Sequence, residues 1–198
     1  MTLIGSASPA RVRAIGIDTI LAMSDALLAQ LAAVAPETEY VGRYVDSLTS
    51  EEIARIHAAG KAILPFTYAN EFDPAPRLAK LAALGCPPGV TIMLDVEGVK
   101  LPADQTIARI DAWALAMKGA QRDPGAYVGA GAGLTAAQWT GLAVDRYMRS
   151  CSAVPEPSEG FCVLQLYRPN VDLGRGLVID WQVVQQDYRG RVPVLWTA

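Results

Sequence analysis

The feature that most restricts this chain is the alternation of short apolar runs with Ala-rich amphipathic segments. AIGID (14–18), EYVGRYV (39–45), KAILPFTYA (61–69), TIMLDVE (91–97) and GAYVGAG (125–131) each have the length and bounding turns of a strand. Between them, the sequence predicts a helix from Ser24 through Val34, stopped before Pro36. A second helix lies in TSEEIARIHAAG, with Thr49 and Glu52 spaced as a capping box and Gly60 as the stop. Short helical segments follow at 77–84 and, capped by Asp104, at 105–118. Thr135 and Gln138 make another capping box, for a helix running to about Arg149. Pro65 predicts an irregularity inside its strand.

After Arg149 the alternation weakens. RSCSAVPEPSEG holds at most a vestigial strand, and FCVLQLY (161–167) and GLVIDWQVV (176–184) are strands with no long helix between them. Repeated β–α units imply a parallel sheet covered by helices. The expected fold is therefore α/β, a single compact (β/α)8-type TIM barrel over residues 1–198 with abbreviated helices in its second half. An open doubly wound sheet is the alternative.

Composition excludes several classes. With 198 residues, 52% hydrophobic and 19% charged, the chain has the makings of a globular core. A net charge of −3 argues against a nucleic-acid partner. No apolar run approaches the roughly 18 residues of a membrane span, and no basic-then-apolar start marks a signal peptide. The only histidine, His57, falls within a helix, and Cys86, Cys151 and Cys162 lack metal-ligand spacing, so no zinc site, cofactor or catalytic triad is expected. The three cysteines are expected as reduced thiols, a Cys151–Cys162 bridge being the alternative outside the cytosol. GAGAGL (129–134) lacks phosphate-loop spacing and reads as a turn.

Polar residues gather at the ends of these apolar strands. Asp18 ends the first, Arg43 and Tyr44 the second, Tyr68 the third, Asp95 and Glu97 the fourth. Tyr127 lies in the fifth, Gln165 and Tyr167 end the seventh, and Asp180 with Trp181 end the eighth. In a closed barrel they would surround one mouth, where barrel enzymes carry their sites. Residues two apart on a strand share a face, so Asp95 and Glu97 project together, and crowded carboxylates raise one another's pKa.

GIDTI and LDVEG resemble the G-x-D start and D-x-E strand of the glycoside hydrolase family 25 muramidases, and QLY followed by VIDWQ resembles elements of their last two strands. The order of motifs is more similar still to the glycoside-hydrolase-like relatives of that family. These carry a GRY strand (Gly42, Arg43, Tyr44), a T-x-x-E-x-x-x-I-x-x-x-G helix and a third strand with Pro65 and Tyr68. The resemblance spans about residues 14–184. It implies a barrel in which Glu97 is the general acid, Asp95 its charged neighbour, and Asp18 and Asp180 the rest of the acidic floor. One protonated carboxyl would donate to the leaving oxygen, with negative charge supporting an oxocarbenium-like transition state or the substrate's own acetamido oxygen attacking. Tyr44, Tyr68, Tyr127, Tyr167 and Trp181 would face sugar, with Arg43 and Gln165 as hydrogen-bonding partners. The implied substrate is peptidoglycan, cut after N-acetylmuramic acid, by a monomer of the phage or prophage endolysin type that acts in the periplasm or cell wall after release or dedicated export. The alternative is an inactive barrel serving as a glycan-binding or structural component.

Overall fold

The computed structural model describes residues 4–69, 72–166, 171–174 and 176–198. In chain order the elements are β1 Ser6–Pro9, β2 Ile15–Asp18, α1 Asp25–Val34, β3 Thr38–Tyr44, α2 Ser50–Ala58, β4 Ala62–Tyr68, α3 Pro74–Ala83 and β5 Thr91–Asp95. There follow α4 Ala103–Gly119, β6 Asp123–Val128, α5 Ala136–Thr140, β7 Arg146–Arg149, β8 Val163–Gln165, β9 Val171–Asp172, β10 Val178–Val184 and β11 Val194–Thr197.

Eight strands close into a barrel in the order β2-β3-β4-β5-β6-β7-β8-β10, the ring completed by β10 against β2. This excludes the open doubly wound sheet. Every neighbouring pair from β2 round to β8 is parallel, but β10 is antiparallel to both of its neighbours. The expected shortening of helices in the second half is seen, while the expectation of a (β/α)8-type barrel with every strand parallel is corrected there. The strand at 146–149 occupies sequence expected to be helix, because α5 stops after five residues at Gly141. No described helix separates β7 from β8 or β8 from β10. With no crossover helix to carry the chain back, β9 and β10 pair as antiparallel neighbours and β10 enters the barrel from the mouth.

The helix starts follow their side chains. Ser24 and Thr49 accept from Leu27 and Glu52 backbone N–H, and Thr135 with Gln138 forms a complete reciprocal box. Asp104 is not a cap: α4 begins after Pro102, with Asp104 in its first turn. At Thr49 the box is half-made, because the Glu52 carboxylate is engaged elsewhere.

Two apolar layers result. Ile17, Val41, Ile63, Ile92, Leu94 and Ala126 face the helices, where Leu31, Ile53, Leu81 and Trp113 pack against them. Alternate residues Tyr40, Leu64, Phe66, Met93 and Met148 fill the barrel. Glycine makes that filling fit. A Cβ on Gly16 would lie 2.1 Å from the Tyr40 ring, and one on Gly42 would lie 2.7 Å from the Asp18 Cβ and 2.9 Å from the Phe66 ring.

At the end opposite the mouth, β4 pairs with β11 at Ile63, whereas from Phe66 onward it pairs with β5. Pro65, which has no N–H to donate, falls where β4 changes partner, so β4 runs unbroken through it. The Val194 N–H donates to Thr91 Oγ1 at 2.8 Å, placing β11 against the start of β5 as well. β1 covers the outer edge of β11.

Gly16→Ala is expected to destabilise the fold by about 1–3 kcal/mol through overpacking. Tyr40→Leu in the same chain should restore part of the loss, which a double-mutant cycle in urea measures.

Candidate active site at the barrel mouth

β2 and β10 bring the first two acids together. Asp18 is the last residue of β2, Asp180 the third of β10, and the two are register partners. Asp180 was expected at a strand's C-terminal end. It reaches the same mouth from the opposite direction, because an antiparallel strand presents its N-terminal part there. Each acid receives an uncharged amide donor: Gln182 Nε2 donates to Asp18 Oδ2, and Gln165 Nε2 donates to Asp180 Oδ2 at 2.6 Å. Gln165 is itself fixed, its Oε1 accepting from Tyr127 Oη at 2.6 Å and from the Cys151 N–H at 3.2 Å.

Across the barrel, β5 ends at Asp95, whose carboxylate accepts from Tyr44 Oη at 2.8 Å and from the Glu97 N–H at 3.1 Å. That second bond turns the chain after the strand. Glu97 lies beyond the strand, on the exposed rim, while Asp95 is buried below it. Glycine again permits the approach, since a Cβ on Gly129 would lie 2.8 Å from the Glu97 Cβ. Tyr68 stacks on Tyr44 with ring centroids 4.0 Å apart.

Asp18, Asp95, Glu97 and Asp180 line one cavity of about 70 Å³ together with Tyr44, Phe66, Tyr127 and Gln165. These described lining residues include no basic side chain. Burial raises the pKa of Asp18 to about 7, with the charges of Asp180 and Asp95 adding to the rise and the Gln182 bond opposing it. Burial also raises Asp95 against its two hydrogen bonds. Glu97 is raised by desolvation and by the charges of Asp95 and Asp180, opposed by a backbone hydrogen bond at Ala130. A cluster of this kind can hold and release a proton near neutral pH.

Two expected site residues lie elsewhere. Arg43 alternates with Tyr44 along β3 and points out of the barrel. It is fully buried, 2.7 Å from Glu52, and donates to the Thr19 carbonyl at 2.6 Å. Glu52 also accepts the Met23 N–H at 2.7 Å, so this pair clamps the β2–α1 loop. Trp181 likewise alternates with Asp180 and packs on the outer layer. Tyr167 falls outside the described residues. Gln182 and Phe66 belong to the site but were not expected there. Gln182 was legible, because it stands two residues from Asp180 on one strand and so shares its face.

Among the described residues, no group of three or more His, Cys, Asp or Glu is arranged to hold a metal ion, and no helix is long and apolar enough to cross a membrane. Cys86, Cys151 and Cys162 are free thiols, with burial pushing Cys86 and Cys162 up to about 12.

No protein-family model and no curated protein matches the chain. Among solved structures, it is similar to a 1.07 Å crystal structure of an uncharacterized B. stearothermophilus protein. That likeness has a TM-score of 0.69 at 19% identity, over 86% of this chain and 95% of the other. It is a likeness of fold.

Two predictions follow from these environments. Arg43→Met strands the Glu52 carboxylate in the interior and should cost about 3–5 kcal/mol in denaturant unfolding. Asp18 carries a folded pKa of about 7 against the ordinary aspartate value of 3.8, so the folded state binds more protons than the unfolded state between those values. Its contribution to stability is thus greatest at low pH and is lost as pH rises through 7. Asp18→Asn should therefore stabilise the protein, and its advantage should grow by on the order of 2 kcal/mol from pH 5 to pH 8. Thermal unfolding of both proteins at the two pH values checks this.

Proposed function

We propose that the protein is a glycoside hydrolase of muramidase type, cleaving the β-1,4 bond after N-acetylmuramic acid in peptidoglycan, on a barrel related to TIM barrels. The observation that carries this reading is the convergence of four carboxyl groups with Tyr44, Tyr127 and Gln165 at one mouth. Hydrolysis of a glycosidic bond needs one carboxyl that keeps its proton and others that keep their charge.

Glu97 is suited to the acid's role. It stands on the rim, where a leaving-group oxygen has access, and its pKa is raised above the ordinary glutamate value. Asp95, held by Tyr44 and the Glu97 N–H, has little freedom to turn away. That makes it the group to face a developing oxocarbenium ion or to orient an acetamido group attacking from within the substrate. Asp180, oriented by Gln165, supports charge from the opposite wall. The Tyr44–Tyr68 stack offers an aromatic edge to a sugar face at the rim.

The test is release of reducing ends and soluble muropeptides from purified peptidoglycan. Wild type should release both, and Glu97→Gln, shown to be folded by circular dichroism, should lose at least about 100-fold in rate. The rate should fall as pH rises through the pKa of the acid, with the descending limb above the pKa of an ordinary glutamate. Folded wild type that releases nothing from several wall types would replace this reading with a glycan-binding or structural role.

A further inference from the structure

The acidic centre is flanked on opposite sides by two larger cavities of different character. On the β2 and β10 side, about 350 Å³ is bounded by Asp18, Asp180 and the apolar Ile20, Leu21 and Val178. On the β5 side, about 330 Å³ is bounded by Glu97, Phe72, Val99, Leu101 and the cations Lys100 and Arg109. Because β5 stands four strands around the ring from β10, the two flanks face each other across the mouth. Each shares at least one acid with the central cavity, so the three adjoin as a trough across the mouth.

The charge of this trough is lopsided. Ile20 is 74% exposed and Val178 40% exposed, an apolar shelf open to solvent on one flank. On the other flank, neither Lys100 nor Arg109 has a carboxylate partner among the described residues. Arg109 lies over the Phe72 ring, 5.8 Å from its centroid. That stacking orients a guanidinium while leaving its N–H groups to be shared. Phe72 holds a left-handed backbone conformation, φ 47°, uncommon for a large side chain, so its ring is placed at some conformational cost.

We propose that Lys100 and Arg109 form an anion subsite that seats a carboxylate carried by the glycan on the Glu97 side of the scissile bond. The inference rests on the glycan-hydrolase reading and deepens it by naming the side chains that would select an acidic glycan over a neutral one. The carboxylate has two sources in such polymers: the sugar's lactyl group where no peptide is attached, and the peptide's own carboxyl groups where one is joined to that lactyl group as an amide.

The experiment is equilibrium binding by calorimetry, at low and high salt. Wild type, Lys100→Gln and Lys100→Gln/Arg109→Gln are each titrated with a neutral N-acetylglucosamine tetrasaccharide, a peptide-free muramic-acid tetrasaccharide and its peptide-bearing form. Wild type should prefer the acidic ligands. The double variant should bind them about tenfold more weakly, with affinity for the neutral ligand changed less than twofold. Salt should erase the preference. A loss already seen with the peptide-free ligand assigns the lactyl carboxylate, and one seen only with the peptide-bearing form assigns the peptide. Equal affinity of wild type for all three, or an equal loss for all three in the variants, overturns the subsite. Hydrolysis is followed separately. Charge-selective binding without bond cleavage removes the hydrolase reading and leaves the subsite, whereas cleavage without charge selectivity does the reverse.

Discussion

The register between β2 and β10 is the constraint from which the mouth takes its form. Closing a barrel demands that its last strand meet its first, and here the meeting sets Asp18 directly against Asp180. A slip of one residue would turn Asp180 and Gln182 outward and bring Ile179 and Trp181 into the interior. The paired amides depend on the same alignment, since Gln182 reaches Asp18 and Gln165 reaches Asp180 across neighbouring strands. Two carboxyl groups held face to face are tolerated because each has a neutral donor and because Asp18 keeps its proton toward neutral pH.

A second, separate piece of electrostatics lies behind the sheet. The Arg43–Glu52 pair is sealed from solvent, and its remaining bonds go to the Thr19 carbonyl and the Met23 N–H. Such a pair is weak evidence of net stability, because desolvation of both ions offsets their attraction. Its value here is positional. It fixes the loop after β2, and that loop carries Ile20 and Leu21 to the apolar flank of the trough. A residue expected to touch sugar thus acts on the mouth through the backbone behind it.

The first half of the fold was legible because each element there carries its own signals. Apolar runs of strand length, Thr49 as a cap and Gly60 as a stop all agree with one another and with the structure. The carboxylates were legible for a related reason, since a charge at the end of an apolar run stands out. Direction was not. VIDWQ alternates in the same way whether its strand runs up or down, so periodicity cannot report that β10 is antiparallel. The helix expected to reach Arg149 failed because a good start at Thr135 says nothing about length, and the pull of RYMR into the sheet is tertiary. Arg43 and Trp181 were misplaced by the step from "near the strand end" to "in the mouth", where alternation with Tyr44 and Asp180 decides the face.

The pairing of β1 with β11 has a consequence of another kind. β11 runs antiparallel to β4, and Ser6 lies opposite Thr197, so both ends of the described chain meet on the face away from the mouth. Anything joined to either end, whether a tether, a neighbouring domain or a solid support, would hold the barrel by its base. The mouth and its acids would then point outward, away from the point of attachment.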